Sequence, residues 1–218
     1  MALKLNAMAA GALMALAVCA TPALAVDVNV YKFDSTAVGA FGAPNYGTVT
    51  LTQNGTSVNV SIMLRNDLNF LTTGNSGSKA AFWFNATGVV AGEIGSIMDA
   101  SSQTFSVLTP GNKSPFGQFT LGILCDPGCA NGGSTAGYAD PLTFSVANAK
   151  LADFSILILG GSPAAYFAAD ASMAGSGATG AVGAATVMAP VLEPETYALL
   201  LAGLGAMGFI AKRRNAAM

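Results

Sequence analysis

Two cysteines and a scatter of aspartates are the residues of this chain best suited to chemistry. Cys125-Asp126-Pro127-Gly128-Cys129 wraps the cysteine pair around a Pro-Gly turn, which can bring two Cα atoms within bridging range. A redox motif normally has two residues between its cysteines and sits in a βαβ unit. A metal site would want further soft ligands nearby. Neither context is present, so the expectation is a structural disulfide in an oxidising compartment. Asp34, Asp67, Asp99, Asp126, Asp140, Asp153 and Asp170 could supply an acid and a base for sugar hydrolysis, but no spacing pairs them. Asn66-Asp67-Leu68-Asn69 and Asp140-Pro141 are rich in oxygen donors. They lack the spacing of a calcium loop and read as ordinary turns.

The chain contains no histidine, which removes the usual proton carrier near neutral pH and the commonest metal ligand. No nucleophile elbow, phosphate loop or dinucleotide fingerprint stands in a strand-to-helix context. No catalytic, cofactor-binding or metal-ligating residue is therefore assigned, and no cofactor is expected. Between residues 26 and 190 there are five basic residues and nine acidic ones, with Glu93 the only glutamate. That thin, even distribution offers no basic stripe for a nucleic acid. An enzyme reading survives only as a His-independent carbohydrate-active enzyme working through two aspartates.

The elements that would position these residues read as strands. Val28–Phe33, Thr48–Thr52 and Ser57–Ile62 alternate apolar and polar residues, as half-buried strands do. Asn54-Gly55 between the last two is a strong hairpin signal. Further strands are expected at Ala80–Asn85, Thr104–Leu108, Gln118–Leu124, Leu142–Val146, Phe154–Leu159 and Ala164–Ala168, with one helical turn at Gly95–Ala100. Trp83 stands between Phe82 and Phe84. Alternation puts the two phenylalanines on one face and the tryptophan on the other, and without an aromatic partner at matching spacing Trp83 reads as core rather than as a sugar platform. The fold class expected is all-β: an antiparallel β-sandwich, jelly-roll or Ig-like, over residues 26–170. Residues 171–190, almost wholly Ala, Gly, Ser, Thr and Val, read as a flexible spacer with a last strand at 184–187.

The chain has 52% hydrophobic residues and only 9% charged ones, far below the usual quarter, and part of the hydrophobic excess comes from its two ends. Residues 1–25 carry Lys4, an apolar run to Ala20, Thr21-Pro22, and the small–x–small pattern Ala23-Leu24-Ala25. This reads as a cleavable secretion signal, and the expected mature N-terminus is Val26. Val18 stands where a lipobox before Cys19 would need Gly, Ala or Ser, which argues against lipidation. At the other end, residues 191–218 hold Glu193-Pro194-Glu195-Thr196, an uncharged helix expected over 197–211, and Lys212-Arg213-Arg214. Fifteen helical residues span about 22 Å against a hydrocarbon core of about 30 Å. The three cations mark the cytoplasmic side.

This tail resembles the PEP-CTERM sorting signal, in which Pro-Glu-Pro precedes an apolar segment and an arginine-rich end. Glu193 and Pro194 match its second and third positions, Leu192 stands at the first, and Thr196-Tyr197-Ala198-Leu199-Leu200 matches the continuation. The resemblance implies a Gram-negative-type cell in which an exosortase processes the tail. The partners expected are thus the export machinery, signal peptidase, exosortase and the inner membrane as a transient anchor. Exopolysaccharide is a candidate partner and nucleic acid is not. The expected destination is the cell surface or extracellular matrix after an inner-membrane-anchored intermediate. The body also resembles PEP-CTERM ectodomains in its GTVTLTQNG hairpin followed by an aromatic strand. The resulting expectation is an exported surface or matrix protein, non-catalytic and structural or exopolysaccharide-associated.

Overall fold

The computed structural model describes residues 26–36, 41–71, 80–98, 104–125, 141–188, 200–205 and 207. Thirteen strands account for nearly all of its regular structure: β1 (Val28–Thr36), β2 (Gly47–Asn54), β3 (Ser57–Leu64), β4 (Leu68–Phe70), β5 (Phe82–Phe84), β6 (Ile94–Met98), β7 (Phe105–Leu108), β8 (Gly111–Lys113), β9 (Gly117–Phe119), β10 (Leu121–Cys125), β11 (Leu142–Val146), β12 (Phe167–Met173) and β13 (Thr179–Met188). Every strand pair is antiparallel. One sheet runs β6-β11-β3-β2-β1-β13-β12-β5-β10-β7, with β4 added to β12. Its two end strands, β6 and β7, are consecutive in the chain and approach each other. The sheet is therefore nearly closed and barrel-like, a geometry that leaves little exposed edge.

The hairpin expected around Asn54-Gly55 is the frame of one half. β2 and β3 pair from Gly47↔Leu64 to Asn54↔Ser57, leaving Gly55-Thr56 as a two-residue loop with φ +59° at Gly55, a conformation glycine adopts freely. Gln53 ties this hairpin to a distant segment. Its Nε2 donates to the carbonyls of Gly55, Ser57 and Ala149, and its Oε1 accepts from Leu151 N at 3.1 Å. Val49, Leu51, Val58, Val60 and Ile62 point inward, and the residues between them point out.

Inside the closed sheet lies an aromatic core. Phe82 stacks on Phe167 at 5.8 Å between ring centroids, Phe84 packs on Phe144 at 5.3 Å and Phe154 at 6.1 Å, and Tyr31 meets Phe167 edge-on at 4.8 Å. Phe84 of β5 and Phe144 of β11 lie far apart in the sheet order, so their contact draws the two halves of the curled sheet together. A second, smaller cluster covers the outside of β5, β12 and β13. There the β8–β9 hairpin brings Phe116 and Phe119 over Trp83, Ala168 and Ala181. Trp83 is fully buried and on the face opposite Phe82 and Phe84, as alternation requires.

Three expectations about elements are corrected. The segment from 171 onward is not a spacer: it forms the end of β12 and all of β13, a pair in the middle of the sheet registered from Phe167↔Ala184 to Ser172↔Thr179. Its small residues are there because rings press on it. A Cβ on Gly183 would lie 2.7–2.8 Å from atoms of the Phe116 ring. Phe154–Leu159 is not a strand. Leu151–Phe154 is a 3-10 turn, started by Asp153 accepting a hydrogen bond from Lys150 N at 2.7 Å. Beyond it only Ile158 makes a single bridge, to Ala165, and Leu159 is 81% exposed. Gly95–Ala100 is not a helical turn: Ile94–Met98 is β6, with the 3-10 turn lying just before it at Ala91–Glu93.

Candidate functional site

The outer face of β2, β3, β11 and β6 is the surface on which small polar side chains converge. Alternation sends Thr48, Thr50 and Thr52 outward from β2, Asn59 and Ser61 from β3, and Thr143 and Ser145 from β11. Register then sets them in rows across the sheet. Thr50 faces Ser61 and Ser61 faces Thr143, while Thr52 faces Asn59 and Asn59 faces Ser145. Neighbouring members of a row are about 4.8 Å apart, the strand spacing, and the rows are separated by two residues along each strand.

A shallow cleft of about 300 Å³ lies over these rows, walled by Ser96 and Met98 of β6. The wall exists because β6 is irregular. The register of β6 against β11 shifts between Thr143 and Ser145, and Ser96 takes φ +53° there, as the extra residue of a bulge does. Ser145 donates to the Gly95 carbonyl at 3.2 Å and Thr143 to that of Met98 at 3.5 Å. These bonds orient two hydroxyls and leave their oxygens as acceptors. Among the described residues Thr50, Thr52, Asn59 and Ser61 make no side-chain hydrogen bond within the protein, so their donors and acceptors face outward. No residue lining the cleft carries a charge. Such a surface can exchange hydrogen bonds with a neutral polyhydroxyl chain.

Of the described aspartates, Asp34, Asp67, Asp153 and Asp170 are committed elsewhere. Asp34 accepts from Ala185 N at 3.2 Å and from the Thr186 hydroxyl, pinning the irregular register of β1 against β13. Asp153 starts the 3-10 turn. Asp67 receives Arg65 through Nε at 2.5 Å and Nη2 at 2.9 Å. The same guanidinium donates to the carbonyls of Ala43 and Phe41 and lies 5.6 Å from the centre of the Tyr46 ring. The hydrogen bond from Arg65 holds the Asp67 carboxyl below the ordinary carboxylate range and raises the guanidinium in return. Asn66-Asp67 is thus a turn, closed by Leu68 N on the Arg65 carbonyl at 2.7 Å, whose carboxylate already holds a cation. Glu93 accepts from Val90 N and Asn148 Nδ2, and the backbone bond chiefly lowers its pKa. Asp170 lies on β12 in contact with Lys113 of β8.

Several expected site residues fall outside the described residues. These are Ala23 and Ala25 of the cleavage pattern, Glu193 and Pro194, Lys212, Arg213 and Arg214, together with Asp99, Asp126, Asp140 and Cys129. Cys125 is the last residue of β10, paired in register with Phe105. Residues 200–205 and 207 are helical and exposed. Among the described residues no helix is long and apolar enough to cross a membrane. The hydroxyl face was not singled out from the sequence, although its signal is visible in the threonines and serines of Thr48-Val49-Thr50-Leu51-Thr52 and Thr143-Phe144-Ser145. Comparison with protein-family models, with curated proteins and with solved structures gives no match to this chain.

Proposed function

We propose that this chain is an exported, non-catalytic surface or matrix protein that contacts neutral exopolysaccharide through the hydroxyl rows of β2, β3 and β11. The uncharged, outward-facing lattice of Thr50, Thr52, Asn59, Ser61, Thr143 and Ser145 is the observation that carries the binding reading. Polysaccharide chains present hydroxyls that can both donate and accept, and a flat array of the same groups meets them without desolvating a charge. The commitment of Asp34, Asp67, Asp153 and Asp170 to bonds that hold the fold supports binding over hydrolysis by two aspartates.

The address is read from the ends. Signal peptidase cuts after Ala25, the 197–211 helix holds the chain transiently in the inner membrane, and exosortase processes it at Glu193-Pro194, with Lys212, Arg213 and Arg214 left inside. Outside the cytoplasm Cys125 and Cys129 close a disulfide. The nearly closed sheet is, on this reading, a flattened sandwich. Support comes from the ring contacts of Phe82 with Phe144 at 6.1 Å and of Phe84 with Phe144, which join β5 to β11 across the interior.

Co-sedimentation of the exported protein with neutral exopolysaccharide from the producing cell tests the binding reading. Wild type is expected in the pellet and the Ser61→Arg variant, which fills the cleft with a charged side chain, in the supernatant. Equal retention of both, or no retention of wild type, would overturn it.

A further inference from the structure

A lysine stands on the wrong face of the β8–β9 hairpin. Gly111, Lys113, Gly117 and Phe119 alternate with exposed Asn112 and Gln118, so Lys113 shares the buried face with Phe119. That face lies over β5, β12 and β13. On β12, Ala168, Asp170 and Ser172 point the same way, because Phe167, Ala169 and Ala171 point into the interior. Lys113 Nζ and Asp170 Oδ1 are in direct contact, with side chains only 11% and 5% exposed. Two further polar groups on this face, Trp83 Nε1 and Ser172 Oγ, are buried with no hydrogen-bond partner. Trp83 is registered with Ala168, one same-face step from Asp170, and Ser172 is one step away in the other direction.

We propose that Lys113 and Asp170 are the site of an intramolecular amide cross-link. Burial penalises an ammonium and a carboxylate alike. Passing one proton from Nζ to an Asp170 oxygen leaves a neutral amine beside a carboxylic acid. The amine lone pair attacks Cγ, the C–N bond forms, the bond from Cγ to the protonated oxygen breaks, and the second Nζ proton leaves with that oxygen as water. Atoms and charge balance, and no oxidant or co-reactant is needed. Holding the reacting groups in contact supplies the effective concentration that such a condensation lacks in solution. The unpartnered Trp83 and Ser172 donors belong to the same buried face, where the oxygen of the tetrahedral adduct would develop charge. The product ties the covering hairpin to the central strand, a covalent staple suited to a protein that works outside the cell. This inference is independent of the polysaccharide reading.

Tryptic peptide mapping of the folded, exported wild-type protein decides it. An acylated Lys113 resists trypsin, so segment 80–150 should appear joined to the peptide beginning at Leu151, one water lighter than their sum, with fragmentation placing the bond at Lys113 and Asp170. In the Asp170→Ala variant the peptide ending at Lys113 should be released. Recovery of that peptide in full from wild type would overturn the proposal, as would a cross-link found at Lys79 instead. Neither reading depends on the variant folding.

Discussion

Replacing Gly183 by alanine should destabilise this protein, although the substitution adds one methyl to a segment made of little but small residues. Phe116 is held between two glycines. Its ring occupies the space a Cβ on Gly183 would need, with ring atoms at 2.7 and 2.8 Å from that position. Its backbone lies against Gly161, where a Cβ would collide with the Phe116 carbonyl group. The ring cannot swing aside freely, because the backbone carrying it is fixed on the other side. Overpacking of this kind costs about 1–3 kcal/mol, which lowers Tm by about 2–12 °C for a domain of this size. Gly180 on the same strand is the control. A Cβ there meets only the Phe41 ring at 3.4 Å, so Gly180→Ala should be neutral or stabilise by up to about 1 kcal/mol through the unfolded chain. Thermal or urea unfolding of Gly183→Ala, Phe116→Ala and the double variant closes the cycle. With the ring removed, the Gly183→Ala penalty should vanish or change sign. If Gly183→Ala proves as stable as wild type, or costs the same without Phe116, the packing described for β13 is wrong.

Loss of the Arg65 clasp should show in acid. Because the Asp67 pKa is lowered in the fold, its contribution is fully present above the unfolded-state value of about 4 and is lost as pH falls through the lowered one. Asp67→Asn should therefore cost about 0.2–1 kcal/mol near neutral pH, as expected of a partly exposed pair. Below that window the two proteins should converge; a constant difference from neutral pH down to pH about 2 would show that the cost is not electrostatic. The exported protein should react with a thiol reagent at Cys125 and Cys129 only after reduction. Loss of that disulfide should destabilise modestly, since a short closed loop restricts the unfolded chain little. Free thiols on the intact exported form would remove the staple.

Strands with one wet face were legible from alternation, and most of β12 and β13, buried on both faces, was not. The β2–β3 hairpin and β11 could be read from alternation because the polar residue of each pair faces solvent. In β12 and β13 the aromatic core presses on one face and the β8–β9 hairpin on the other. Most residues on both faces there are small, the alternation disappears, and what remains resembles a linker. Phe154–Leu159 misled in the opposite sense, since its run of large apolar residues follows an Asp153 that commits the backbone to a turn. The hydroxyl face was hidden for a different reason. Each Thr, Ser or Asn is an ordinary outward residue of its own strand, and only the register of β2, β3 and β11 makes them rows. Trp83 was legible because Phe82 and Phe84 beside it require opposite faces. The contact of Lys113 with Asp170 was not, since nothing local marks a lysine on the inward face of a short hairpin.

Export and sorting through the tail, as proposed for this chain, fix where its mature ends must lie. Determination of both ends of the cell-surface form by mass spectrometry tests this proposal most directly. The expected surface form begins at Val26 and ends at or near Glu193-Pro194, without the 197–211 helix. A surface form that keeps Met1 would contradict export through the N-terminal signal, and one that keeps Lys212-Arg213-Arg214 would make the tail a plain anchor.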